Sequence, residues 1–468
     1  MVFSSLVFLY IFLPLCLAAY FIPRKIQIRN IVLLVFSLLF YGWGEPVYIL
    51  LMIVTTAVDF FAGLFVEKYR GTKKAKLFLT LAVVLTLSSL GLFKYYDFFT
   101  TAANDLFSVN IPLLGVALPI GISFYTFQAL TYVVDVYRGR VPVQSSFYKL
   151  LLYISMFPQL IAGPIVRYSD VCEQLEERTC TLQKASEGIV RFCIGLLKKT
   201  VLANFVGELC EQLIGGDLSS LTMLGAWVGI LAYAFQIYFD FAGYSDMAIG
   251  LGKIFGFDFP ENFRYPYAAR SINDFWRRWH ITLSTFFRDY VYIPMGGNRK
   301  RWAVNMLIVW LLTGLWHGAS WNFVLWGLYY FVFLMVEKLW LGKKLEKLPA
   351  AIGHVYSLLV VLVGWVFFYF ESLSEIQAFF LAAFGGNGFS TVTQRTVIVN
   401  YIAILPVCAI CSMPVLPSLR KFFLRLRSEK MQRMLLSVGQ TVFAVGALLV
   451  STAALVGSSY NPFLYFRF

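Results

Sequence analysis

LLTGLWHGASWNFVLWG, residues 311–327, sets one histidine, His317, between two tryptophans in a run whose other side chains suit a lipid interior. The apolar stretches on either side, 302–316 and 321–336, have only about 15 residues each. At roughly 1.5 Å per residue each reaches about 22 Å into a hydrocarbon core about 30 Å thick. Such a hairpin is expected to turn inside the membrane or at a local thinning, with Gly318, Ala319 and Ser320 keeping its backbones close. Ionisable side chains are costly there, roughly 2.5–3.5 kcal/mol for Asp, Lys or Arg at a helix centre, and face protein or a wet cavity. Burial disfavours the imidazolium form of a histidine, and a neutral imidazole is a base. Position alone leaves two roles open for His317: bonding to a neighbouring helix, or chemistry.

The whole chain shares this apolar character. Of its 468 residues 59% are hydrophobic and 14% charged, with a mean hydropathy of +0.72, which excludes an ordinary soluble domain. The first 21 residues carry neither a basic leader nor a small-residue cleavage site, and are expected to stay as a first span. The net charge of +14 is gathered in clusters at 24–29, 68–76, 138–149, 253–301, 338–347 and 420–433, as in cytoplasmic loops, rather than spread as for nucleic acid. Segments 95–114, 214–222 and 371–375 have no Lys or Arg and are expected outside.

Threading spans between the two kinds of loop gives 7–21, 31–43, 47–66, 77–94, 113–136, 188–210, 224–251, 302–316, 321–336, 354–370, 401–416 and 437–455. That is about 12 crossings, with both termini extracytoplasmic. Residues 148–166, YKLLLYISMFPQLIAGPIV, contain Pro158, Gly163 and Pro164 and are expected to be re-entrant, which requires protein or a cavity around their backbone. No internal repeat is evident, which weighs against an inverted-repeat transporter.

Two further polar constellations stand out. Between residues 253 and 301 nine Lys or Arg face four acids. Within that loop Trp276, Trp279 and His280 would share a helical face flanked by Arg277 and Arg278. This fits an interfacial amphipathic helix or the mouth of a site for a polyanionic ligand. In FQIYFDFAGYSDMAIGLG, 235–252, Gln236 and Asp240 lie a turn apart and Asp246 is deeper; structural support is favoured, with arginines of the adjoining loop as expected partners. Lys198 and Lys199 interrupt another span without declaring a role. Cys408 and Cys411 form a CxxC, but no second ligand pair accompanies it, so no metal site is expected. His354 is expected to have no chemical role, and no phosphate loop, HExxH or GxSxG is present.

Taken in order, ALPIGISFYTFQALTYVVDVYRG, FPQLIAGPI, FQIYFDFAGYSDMAIGLG, DFWRRWHITLSTFFRDYVYIPMGGNR, LLTGLWHGASWNFVLWG and the final NPFLYFRF resemble the membrane-bound O-acyltransferase (MBOAT) family, in its alginate O-acetyltransferase-like branch. The resemblance implies an all-α polytopic membrane protein of about 11–12 transmembrane helices plus re-entrant segments, with a tunnel through a thinned region. It implies one integral-membrane domain over 1–468, with a catalytic core at about 113–336, in a bacterial inner membrane. His317 matches the family's catalytic histidine and His280 its second polar position. The implied donor is cytoplasmic acyl-CoA, acetyl-CoA foremost, with no permanently bound cofactor.

On this resemblance His317 is the general base for an acceptor hydroxyl. His280 positions the thioester or steadies developing charge, with Asn298 or Arg278 as nearby donors. The basic mouth, Arg277, Arg278, Trp279 and Asn298, holds coenzyme A. The acceptor is an extracytoplasmic polysaccharide or a hydroxyl on an extracytoplasmic acetyltransferase partner that modifies it. D-alanyl, lipid or protein acylation by the same fold, and a non-enzymatic transporter or flippase, are the competing readings.

Overall fold

The computed structural model describes residues 1–415, 429–457 and 460–461. Among these there are helices and no strand. The basic cluster at 420–433 is described only from residue 429, and there only as backbone, and residues 462–468 of the NPFLYFRF motif lie outside the described residues.

In chain order the helices are α1 (Phe8–Phe21), α2 (Ile26–Gly44), α3 (Tyr48–Lys68), α4 (Lys73–Phe107), α5 (Ile122–Tyr137), α6 (Phe147–Ser155), α7 (Phe157–Leu160), α8 (Tyr168–Glu176), α9 (Leu182–Leu197) and α10 (Asn204–Ile214). There follow α11 (Met223–Ile254), α12 (Ile272–Trp276), α13 (Ile281–Phe287), α14 (Trp302–His317), α15 (Trp321–Leu345), α16 (Ala350–Tyr369), α17 (Leu373–Ala383), α18 (Val392–Tyr401), α19 (Ile404–Cys411) and α20 (Glu429–Gly457). Seven are long and apolar enough to cross a membrane, or eight if the pair α18 and α19, bent by 52°, is one broken span. The protein is therefore a multi-pass, all-helical membrane protein. Fewer helices pass this length test than the threaded spans because several of those are short: α1 and α14 are apolar but have under 18 residues, and α5 has 16.

The chain forms two compact units, one of residues 1–192 with 246–260, the other of 193–245 with 261–468. In the first, α5 is almost wholly buried, and its Tyr132 ring fills the space that Gly63 of α3 leaves. The stretch read as re-entrant is two short helices, α6 and α7, of 9 and 4 residues, neither long enough to cross. Several of their buried polar groups pair with protein: the Phe157 amide donates to Ser37 Oγ at 3.1 Å, and Tyr153 donates to the Val166 carbonyl at 2.9 Å.

Asp246 belongs to this first unit and pairs with Arg191 of α9 at 2.6 Å, rather than with an arginine of the following loop. Residue 191 lies on a neighbouring helix, and helix-to-helix pairing of this kind leaves no trace in sequence spacing.

The second unit packs α10, α11, α16 and α17 around an aromatic core that includes Trp326, Tyr330 and Trp365. Its interior also holds an ion pair. Lys199 and Asp240, each about 3% exposed, lie 2.6 Å apart, so Asp240 too takes its cation from a neighbouring segment and not from the basic loop. One turn before Asp240 on α11, Gln236 donates to the Tyr460 hydroxyl at 3.1 Å, and Asn204 donates to Asn461 at 3.3 Å. The last described residues are thus fastened to a polar seam between helices.

Lys199 sits in a π-helical segment, Lys198–Ala203. Five such segments occur among the described residues, and four contain charged side chains: Lys94, Lys198 with Lys199, Arg288 with Asp289, and Glu337 with Lys338. A π-turn inserts a residue and rotates the next side chains out of the helical register, a means of aiming a polar group that an apolar helix face would not otherwise carry.

Candidate active site

His317 is the last residue of α14. Gly318 and Ser320 follow in extended conformation, and α15 starts at Trp321. The hairpin closes because glycines line its seam. A Cβ at Gly314 would strike the Phe323 carbonyl, one at Gly327 the Trp310 carbonyl, and one at Gly318 the Phe323 ring. The close approach presses the imidazole among rings: Trp316 at 4.9 Å, Phe368 at 5.0 Å, Trp326 at 5.1 Å and Phe323 at 6.4 Å between centroids. His317 is 8% exposed, so its imidazole is nearly dry.

His280 is reached differently. The helix expected through Trp276, Trp279 and His280 stops at Trp276, because the chain turns back against the preceding loop. The Arg264 amide donates to the Arg278 carbonyl at 2.9 Å, and the Ile281 amide to the Asn262 carbonyl at 3.0 Å. His280 then adopts a left-handed backbone, φ 44°, before α13 begins. Trp276, Trp279 and His280 are all buried, and the single helical face expected of them does not form. A left-handed conformation at a non-glycine residue costs free energy and persists only where the surroundings enforce it.

Those surroundings are specific. The imidazole Nδ1 lies 3.0 Å from Asn262 Oδ1, with Phe241 at 4.7 Å, Trp316 at 5.5 Å and Phe263 at 6.5 Å between ring centroids. Nε2 makes no hydrogen bond among the described residues. Burial without a charged partner pushes the His280 pKa well below the ordinary histidine range, so the ring is neutral at pH 7. Trp316 packs against both histidine rings, 5.5 Å from His280 and 4.9 Å from His317 between centroids.

The residues read as a basic mouth divide. Arg277 and Asn298 line one cavity of about 690 Å³ together with Arg270, Lys338 and Lys343. Asn298 Oδ1 accepts from Lys338 Nζ at 2.7 Å and from the Tyr292 hydroxyl at 2.8 Å. Arg278 is held at 2.8 Å by Asp274 one turn away. Trp279 lies in the core, 4.9 Å from Trp365 and 5.1 Å from Phe263. Asp240 and Gln236 belong to the polar seam described above, and His354 lies 3.0 Å from the Ala269 carbonyl.

Two residues that carry this geometry were not singled out from sequence. Glu337, buried at the cavity, accepts from the Ile272 and Asn273 amides at 2.6 and 2.9 Å and so anchors the start of α12. Asn262 is the other. The available signal was an acid ending an apolar run in one case, and an asparagine amid aromatics in the other.

Comparison with known proteins agrees with this architecture. The profile of MBOAT, the membrane-bound O-acyltransferase family, matches residues 36–374, most of the chain. The protein is an integral-membrane O-acyltransferase. It belongs to the membrane-bound O-acyltransferase family. It is 42% identical over 392 residues to the "Probable alginate O-acetylase AlgI" of Azotobacter vinelandii, covering 82% of this chain and 78% of that protein. The protein of the same name from Pseudomonas putida is 38% identical over the whole of both chains. The "Peptidoglycan O-acetyltransferase" of Helicobacter pylori is 31% identical over all of this chain and 98% of its own.

Proposed function

We propose that the protein moves an acetyl group from cytoplasmic acetyl-CoA to a hydroxyl of an extracytoplasmic polysaccharide, directly or through an acetyltransferase partner protein. The observation that carries this reading is the placement of two buried imidazoles, His280 and His317, against the same tryptophan ring within the family-matched region. The names of the relatives, alginate and peptidoglycan O-acetylases, support a glycan acceptor.

His317 accepts the proton of the acceptor hydroxyl as its oxygen attacks the thioester carbonyl. The new C–O bond forms, the C–S bond breaks, and coenzyme A leaves as the thiol once it takes up that proton. General-base assistance of this type contributes about 10²- to 10⁴-fold. His280 holds the reacting groups in register beside it. The aromatic wall excludes water, which would otherwise hydrolyse the thioester and weaken each polar contact. The cavity with Arg270, Arg277, Lys338 and Asn298 has the charge and donors to hold the phosphates of coenzyme A.

In this reading the chain works as one membrane domain with its catalytic core at about 113–336, in a bacterial inner membrane with both termini outside. Purified protein given radiolabelled acetyl-CoA tests it, with alginate, peptidoglycan fragments or a D-alanyl acceptor offered separately. Label appearing on a glycan hydroxyl in step with free thiol supports the proposal. Translocation of the glycan without any acyl transfer would replace it with a transporter.

A further inference from the structure

The buried asparagine beside His280 bonds the histidine's ring and the residues that follow it, and ties them to α11. Asn262 is fully buried. Its Oδ1 accepts from the Thr282 amide at 3.3 Å and from the Thr282 hydroxyl at 2.9 Å, and faces His280 Nδ1 at 3.0 Å. Its Nδ2 donates to Ser245 Oγ of α11 at 3.1 Å, and its backbone carbonyl accepts from the Ile281 amide.

The two ends of an asparagine amide look alike, and only their partners tell oxygen from nitrogen. Here the partner decides: a backbone amide such as that of Thr282 can only donate, so the atom facing it is the oxygen. Because that same oxygen faces His280 Nδ1, the proton of the neutral ring resides on Nδ1. Nε2 is then left with a bare lone pair, able to accept a hydrogen bond and unable to donate one.

We infer that Asn262 is a positioning residue that fixes the tautomer and the left-handed backbone of His280, so that His280 serves the reaction as an acceptor at Nε2. The inference rests on the reading of His280 as an active-site residue. It sharpens that role: His280 Nε2 receives a hydrogen bond from the attacking hydroxyl or from another donor in the pocket, and does not stabilise a developing oxyanion. An oxyanion needs a donor, and neutral His280 bonded in this way has none to offer. Neighbouring groups that set a histidine's tautomer through its other nitrogen are a general device of functional imidazoles.

The chain has three histidines, so ¹⁵N-histidine labelling gives few enough signals to separate. His280→Asn identifies the His280 pair by its disappearance. The expected wild-type spectrum shows a protonated Nδ1 and a non-protonated Nε2 for His280; a proton on Nε2 overturns the inference. Asn262→Ala is expected to lose that single-tautomer signature and to lower kcat about tenfold or more, with KM for acetyl-CoA little changed. Asn262→Asp, which keeps acceptor oxygens toward Nδ1 and Thr282, should restore the Nδ1-protonated signature and part of kcat.

Full kcat in Asn262→Ala beside an inactive His280→Asn would refute the positioning role while sparing His280. Full activity in His280→Asn would instead remove the reading on which the inference depends. If Asn262→Ala does not fold, the wild-type tautomer and the Asn262→Asp variant still decide the question.

Discussion

A histidine in left-handed conformation with an unprotonated nitrogen in a dry pocket is an expensive arrangement, and its cost should be visible in solution. His280 stays neutral in the folded protein below the pH at which an unfolded histidine, with a pKa of about 6.5, takes up a proton. Its stabilising contribution is therefore fully present above that pH and is lost as pH falls below it, with a slope approaching ~1.4 kcal/mol per pH unit for one proton. Replacing His280 by asparagine, which tolerates a left-handed backbone and does not titrate, should flatten the fall of thermal stability in detergent between pH 7 and 5. Equal slopes for the two proteins would contradict the burial argument. At this scale His317 was legible, because a lone ionisable group in a lipid-like run demands an explanation. Asn262 was not: eighteen positions of chain separate it from His280, and only the folded backbone brings the two together.

Between α14 and α15 the decisive contacts are glycine against carbonyl. Gly314→Ala would drive a methyl into the Phe323 carbonyl, and backbone cannot step aside as a flexible side chain can. A loss of about 1–3 kcal/mol is expected, seen as a lower melting temperature together with reduced transfer, because the same seam orients His317. Unchanged melting would mean the helices can separate freely. The pair Lys199–Asp240 gives a second element-scale outcome. Lys199→Met alone removes the cation beside a buried carboxylate and should cost about 3–5 kcal/mol, whereas Lys199→Met with Asp240→Leu should recover most of it. A double variant no more stable than the single would show that the pair does more than neutralise itself.

Helices of this kind were legible from hydropathy, and the break within 148–166 from its prolines. The partners of Asp240 and Asp246 were not, since Lys199 and Arg191 reach them from neighbouring helices rather than from the basic loop next in sequence. The break after Trp276 was hidden as well. The 3.6-residue spacing of Trp276, Trp279 and His280 fits a helix, but hydrogen bonds from Arg264 and to Asn262 outweigh that local preference.

Across the whole molecule, charge and apolar length together identify a multi-pass membrane protein, and the family match makes it an O-acyltransferase. In the proposed function the basic cavity holds the donor. Arg277→Ala with Lys338→Ala should raise KM for acetyl-CoA, more at low ionic strength than at high, and leave KM for the acceptor unchanged. An equal effect on both substrates would detach the cavity from the donor. The most direct test of the account is His317→Ala assayed for acyl transfer alongside donor binding by the same purified protein. In that variant kcat should fall by about 10²-fold or more while acetyl-CoA still binds with near wild-type affinity; transfer at the wild-type rate would contradict the general-base role of His317.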